Sequence, residues 1–84
     1  MGKILVVDDS NIVRNFIEKI FSNNYDIIVA SDGAKAIDIV KNDQSSSIVA
    51  MLLDLNMPNV SGFEVLGYFS VNNLFTKIPV SIIT

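Results

Sequence analysis

Four short apolar runs alternating with three helix-like segments predict an α/β fold, a parallel sheet with helices on both faces. Two observations carry this. The first and third runs are apolar at successive positions, as in strands covered on both sides, rather than alternating as in strands with one wet face. The segments between the runs repeat their apolar residues at helical spacing, and each is long enough to cross from one parallel strand to the next. With 84 residues, residues 1–84 form a single domain.

The elements follow in order. Lys3 to Asp8 (KILVVD) is the first strand, and Ser10 offers a helix cap behind it. Ile12, Val13, Phe16, Ile17, Ile20 and Phe21 recur on one side of a helix reaching about Ser22, with Arg14, Asn15, Glu18 and Lys19 opposite. SNNYD turns the chain into a second strand, Tyr25 to Ala30, and SDG turns it again. Ala34, Ile37 and Val40 mark a second helix that gives way to the polar KNDQSSS. Ile48 to Asp54 is the third strand. Ser61 and Glu64 form a capping box opening a third helix to about Ser70, with Phe63, Leu66 and Phe69 or Tyr68 inward. Lys77 to Thr84 is a fourth strand with Pro79 near its start. Phe16, Phe21, Phe63 and Phe69 are expected in the core.

Composition narrows the function. The chain has no histidine and no cysteine, so the commonest general base, the commonest zinc ligand and all thiol chemistry are absent. Any metal site must be built from hard oxygen ligands. The 6 basic residues are scattered singly and the net charge is −3, which argues against a nucleic-acid surface. No run is long and apolar enough for a membrane span, and the start is too short and too quickly acidic for a secretory signal. A cytoplasmic location without a membrane partner is expected.

In a parallel sheet, functional groups gather at the carboxyl ends of the strands. Asp8 and Asp9 follow the first strand and Asp54 follows the third. If those strands are neighbours, three carboxylates meet at one edge, and like charges so placed oppose one another's ionisation unless a cation joins them. A divalent ion is the natural partner, and Mg²⁺ takes one or two carboxylates together with waters and phosphoryl oxygens. A carboxylate is also a competent nucleophile toward phosphorus and carries no proton to remove. Each acid has a plainer reading as well. Asp8 and Asp9 suit a helix cap, Asp54 suits the start of a turn, and Thr84 is an ordinary strand residue. Turn and cap preferences alone do not bring all three acids to one edge.

ILVVDDS, then DLNMPNVSG about 45 residues on, then IPVSIIT ending in Thr84, resemble the receiver domains of two-component response regulators along the whole chain. The resemblance implies a CheY-like, flavodoxin-like fold with strand order 2-1-3-4. It implies that Asp54 accepts a phosphoryl group from a sensor histidine kinase or phosphotransfer protein. Asp9, Asp54 and the backbone carbonyl of Asn56 would hold Mg²⁺, with Asp8 acting through water. Thr84 would contact the phosphoryl group and couple it to a switch. At most, self-phosphorylation and autodephosphorylation chemistry is expected, not a stand-alone enzyme.

Relative to that family, the chain ends after the fourth strand, without the usual fourth helix, fifth strand with its lysine, and fifth helix. Lys77 falls at the wrong end of its strand to replace that lysine. An output domain beyond residue 84 and self-association are both compatible with this. A single helix on one face of four strands would leave apolar sheet uncovered, and the fourth strand would be an open edge. Two other readings remain: a pseudo-receiver that is never phosphorylated, and a haloacid-dehalogenase-like phosphatase, which wants an acid where Asn56 stands.

Overall fold

The structure, a computed structural model, describes residues 2–43, 47–55 and 62–83. Seven elements alternate along them: β1 (Lys3–Val7), α1 (Asn11–Phe21), β2 (Asp26–Ala30), α2 (Gly33–Lys41), β3 (Ile48–Leu53), α3 (Gly62–Val71) and β4 (Val80–Ile82). The strands form one parallel sheet in the order β2-β1-β3-β4, the predicted order. β1, at the centre, is buried from Ile4 to Val7, which accounts for its unbroken apolar run.

The helices start where short polar side chains satisfy free backbone donors. Ser10 caps α1 by accepting from the Val13 N–H, and Asp32 caps α2 by accepting from the Lys35 N–H. The SDG turn is therefore also the helix start. Ser61, the expected cap of α3, lies outside the described residues.

Two cores flank the sheet. The larger joins Leu5, Val7, Ala30, Met51 and Leu53 to Ala36 and Val40 of α2 and to Val65 and Phe69 of α3. The smaller joins Ile4 and Val6 to Ile17, with Val13, Phe21, Ile27 and Leu52 packed around them. Among the described residues, α1 is the one helix on this second face.

Several expectations are corrected. Ile12, Phe16 and Ile20 share an apolar stripe with the core residues of α1, yet they are 82%, 64% and 51% exposed. The apolar arc of α1 is wider than its contact with the sheet, so Val13, Ile17 and Phe21 take the sheet and the rest faces outward. Phe63 is likewise exposed. α3 buries Gly62, Val65 and Phe69, with Leu66 partly buried against the same core, so of the residues expected inward Phe63 is the one that turns outward.

β3 does not alternate throughout. Lys3 pairs with Ile48 but Ile4 pairs with Ala50, so Val49 is an extra residue in the ladder. The slip places Ile48 on the same face as Met51 and Leu53 and leaves Val49 half-exposed beside Gly2. The fourth strand is shorter than expected. Lys77 and Ile78 donate back to the Leu74 carbonyl in a turn, and pairing begins only where the Pro79 carbonyl accepts from the Met51 N–H. Proline has no N–H to extend the ladder upstream.

Candidate functional site

The site lies at the carboxyl ends of β1 and β3, the two central strands. Val7 pairs with Leu53, so the residues that follow them emerge side by side. The backbone continues the ladder by one more bond on each side: the Asp54 N–H donates to the Val7 carbonyl at 2.9 Å and the Asp8 N–H to the Ala30 carbonyl at 3.0 Å. Both acids are thus held by main-chain bonds rather than by free loops.

Asp8, Asp9 and Asp54 each present a carboxylate oxygen, and these oxygens lie within 4.8 Å of one another. Asp8 is buried, Asp54 half-buried and Asp9 exposed. The Asp8 Oδ1 accepts from the Ser10 N–H at 2.8 Å, tying the cluster to the start of α1. Burial pushes the Asp8 carboxyl above its ordinary value. The Ser10 bond opposes this, the negative charges of Asp54 and Asp9 reinforce it, and the Arg14 cation works the other way. An ionised Asp8 is therefore costly in this cluster and would be relieved by a cation.

That donor set fits a hard divalent ion. All three groups are oxygen ligands, and the exposed side at Asp9 leaves room for the waters that Mg²⁺ keeps. Asn56, whose carbonyl was expected among the ligands, and Thr84 both lie outside the described residues, as do Met57 and Pro58. β4 runs beside β3, and Ile83, the residue after it, still donates its N–H to the Leu53 carbonyl at 2.9 Å.

Lys77 is far from the acids. It lines a small cavity of about 50 Å³ with Val40, Asp43, Ile48 and Leu74, at the end of the sheet where β3 begins. There Asp43 accepts from the Ser47 N–H, the Ser47 hydroxyl and the Ile48 N–H, fixing the entry into β3. Burial works against its charge, but these donors, with Lys3 nearby, outweigh it and hold the Asp43 carboxyl below its ordinary value.

Two residues near the acids were not singled out as site residues. Gly62 opens α3 against the site. A Cβ built on it would lie 2.5 Å from the Asp54 carbonyl oxygen and 2.7 Å from the Leu55 Cα, so only glycine allows this approach. In the sequence Gly62 marks a bend, and its spacing from Asp54 gives no sign of contact. Arg14 reads as part of the solvated side of α1, yet it is half-buried and its charge reaches Asp8.

Comparison with known proteins agrees with this geometry. The family model for the response regulator receiver domain matches residues 4–84. The response regulator MprA of Mycobacterium sp. (strain KMS) is 39% identical over 64 residues, which is 75% of this chain and 26% of that protein. A protein-glutamate methylesterase/protein-glutamine glutaminase of Vibrio cholerae is 40% identical over 84 residues, 98% of this chain and 23% of its own length. The chain thus spans about a quarter of these curated relatives. Among solved structures, a CheY-like receiver domain protein from Methanospirillum hungatei superposes with a TM-score of 0.83 at 30% identity, covering 99% of this chain and 64% of that one. The response regulator TrrA of Thermotoga maritima, solved in complex with Mg²⁺-BeF, gives 0.71 at 30% identity, covering 98% and 66%. With the sheet order, the acid cluster and the family match in agreement, the chain belongs to the response regulator receiver domain family.

Proposed function

We propose that this receiver domain is a phosphoacceptor that takes a phosphoryl group onto Asp54 and relays the signal. The observation that supports it most is the convergence of Asp8, Asp9 and Asp54 within 4.8 Å at the ends of the two central strands. An Asp54 carboxylate oxygen attacks the phosphorus of a phosphohistidine on a sensor histidine kinase or phosphotransfer protein. A P–O bond forms, the P–N bond breaks, and the electron pair leaves with the imidazole nitrogen. Transfer of this kind depends on positioning and on neutralising charge. Asp54 is positioned by the bond from its N–H to Val7 and by the backbone of α3 at Gly62.

Asp9 and Asp54, with the Asn56 carbonyl, would hold Mg²⁺, and Asp8 would act through water. Bound there, the ion supplies positive charge to the phosphoryl oxygens. Thr84 would receive a phosphoryl oxygen and couple it to the switch. Among the described residues no helix is long and apolar enough to cross a membrane, and a cytoplasmic location fits a partner kinase. Residues 1–84 would form part of a receiver domain whose output lies in further polypeptide.

The test is incubation with a small acyl phosphate and Mg²⁺, read by intact mass. Wild type should gain one phosphoryl group and Asp54→Asn none. A base-labile gain in Asp54→Asn would overturn the assignment.

A further inference from the structure

α3 carries one charge, Glu64, and is apolar nearly all round. A helix of that composition is ordinarily buried on every side, yet this one meets the core with Gly62, Val65 and Phe69 and turns Phe63, Gly67, Ser70 and Val71 outward. Phe63 is 65% exposed and Val71 83%. α1 exposes apolar residues too, but Asn15, Glu18 and Lys19 share its outward side and solvate it.

Gly67 stands at the middle of the outward face of α3. Its φ is not positive, and a Cβ built on it meets nothing within 4 Å. Neither backbone conformation nor packing within the described chain therefore calls for glycine, which is unfavourable in a helix interior. What bare backbone provides at this point is close approach for a second helix, because the distance between packed helices is set by the side chains at their contact.

We propose that the outward face of α3 is a self-association surface, on which a second copy of this chain packs its own α3 antiparallel about a two-fold axis at Gly67. The face is self-complementary in that arrangement, as a two-fold contact requires. Gly67 meets Gly67. Phe63 of one copy, four residues before the axis, meets Val71 of the other, four residues after it, and the reverse. Glu64 of one copy falls beside Ser70 of the other, whose hydroxyl can donate to the carboxylate. Parallel packing would instead set Glu64 against Glu64, a repulsive pair, so charge selects the antiparallel arrangement. With far fewer residues on each side than the roughly 20–30 of a stable interface, the association is weak. It stands whether or not Asp54 accepts a phosphoryl group.

The test is sedimentation equilibrium of the chain from about 1 µM to about 1 mM, the range of weak association. Wild type should pass from monomer to dimer across it. Gly67→Glu and Gly67→Lys introduce better helix formers in open space, and each sets like charges face to face at the axis. Each alone should weaken association by roughly tenfold or more, and an equimolar mixture of the two should associate again. The chain has no cysteine of its own, so Gly67→Cys under mild oxidation should give a disulfide-linked dimer and Glu18→Cys, on the exposed side of α1, should not. Should a charged variant lose its helical circular dichroism, the cysteine variants decide: crosslinking at 67 well above that at 18 supports the proposal, and equal crosslinking overturns it. A wild type that stays monomeric throughout overturns it and leaves the face to a different protein or to further polypeptide. Dimerisation that survives both charged variants also overturns it, and assigns the contact to another surface such as Ile12, Phe16 and Ile20 of α1.

Discussion

Replacing Gly62 by alanine adds one methyl group where α3 meets the backbone of Asp54 and Leu55, the proposed phosphoacceptor segment. The new Cβ would lie 2.5 Å from the Asp54 carbonyl oxygen, 2.7 Å from Leu55 Cα and 3.0 Å from Leu55 Cδ2. Favourable contact between such atoms begins at about 3.5 Å, so α3 or the Asp54–Leu55 segment must move by about 1 Å. The leucine methyl can rotate aside, but the two backbone atoms cannot. Overpacking of this kind costs about 1–3 kcal/mol, and in a domain of this size each kcal/mol lowers the melting temperature by about 4–8 °C. The displacement also reaches Asp54, so phosphoryl uptake should slow. Gly67→Ala is the control, because a Cβ there meets nothing within 4 Å. In the same helix it should stabilise by about 0.5–1 kcal/mol through backbone entropy alone. Thermal and urea denaturation of both variants, with phosphorylation rates, reads the contrast. If Gly62→Ala melts with or above wild type and is phosphorylated at the same rate, the close approach does not constrain the site.

Mg²⁺ at about ten times its Kd should stabilise the folded chain by about 1.4 kcal/mol, and Asp9→Ala should lose most of that rise in a thermal-shift titration. An equal response in the variant would contradict the proposed ligand set. Asp43→Ala strands donors from Ser47 and Ile48 and should cost about 1–3 kcal/mol near neutral pH by urea denaturation. Because the folded Asp43 carboxyl lies below its ordinary value of 3.8, this stability is present above that value and is lost as pH falls through the folded one. The wild-type advantage over Asp43→Ala should therefore vanish in acid. Asp8 has the opposite sign: its carboxyl is raised, so its contribution is present below 3.8 and is lost as pH rises through the folded value. Mg²⁺ should accordingly stabilise more at pH 7 than at pH 4, and a flat response would contradict this.

The sheet was legible because β1 and β3 are apolar at consecutive positions, a pattern that only strands covered on both faces require. The same run concealed the extra residue at Val49, since every residue on either side of the slip is apolar and only the pairing with Lys3 and Ile4 reveals it. α1 was legible as a helix but not in its contact, because its apolar arc includes Ile12, Phe16 and Ile20 beyond what the sheet touches. α3 is apolar nearly all round, with Glu64 its one charge, so periodicity could not choose between Phe63 and Val65 as the inward residue. The acids were legible from their places at strand ends. The effects of Gly62 and Arg14 depend on contacts made through space and on a buried charge, which spacing along the chain does not record.

Whether Asp54 is the residue phosphorylated can be read by trapping the acyl phosphate. After treatment with a small acyl phosphate and Mg²⁺, borohydride reduces an aspartyl phosphate to homoserine, and peptide mass spectrometry locates it. Homoserine is expected at position 54, dependent on Mg²⁺, with positions 8 and 9 unchanged. Homoserine at Asp8 or Asp9, or none at position 54 in a folded chain that binds Mg²⁺, would contradict it.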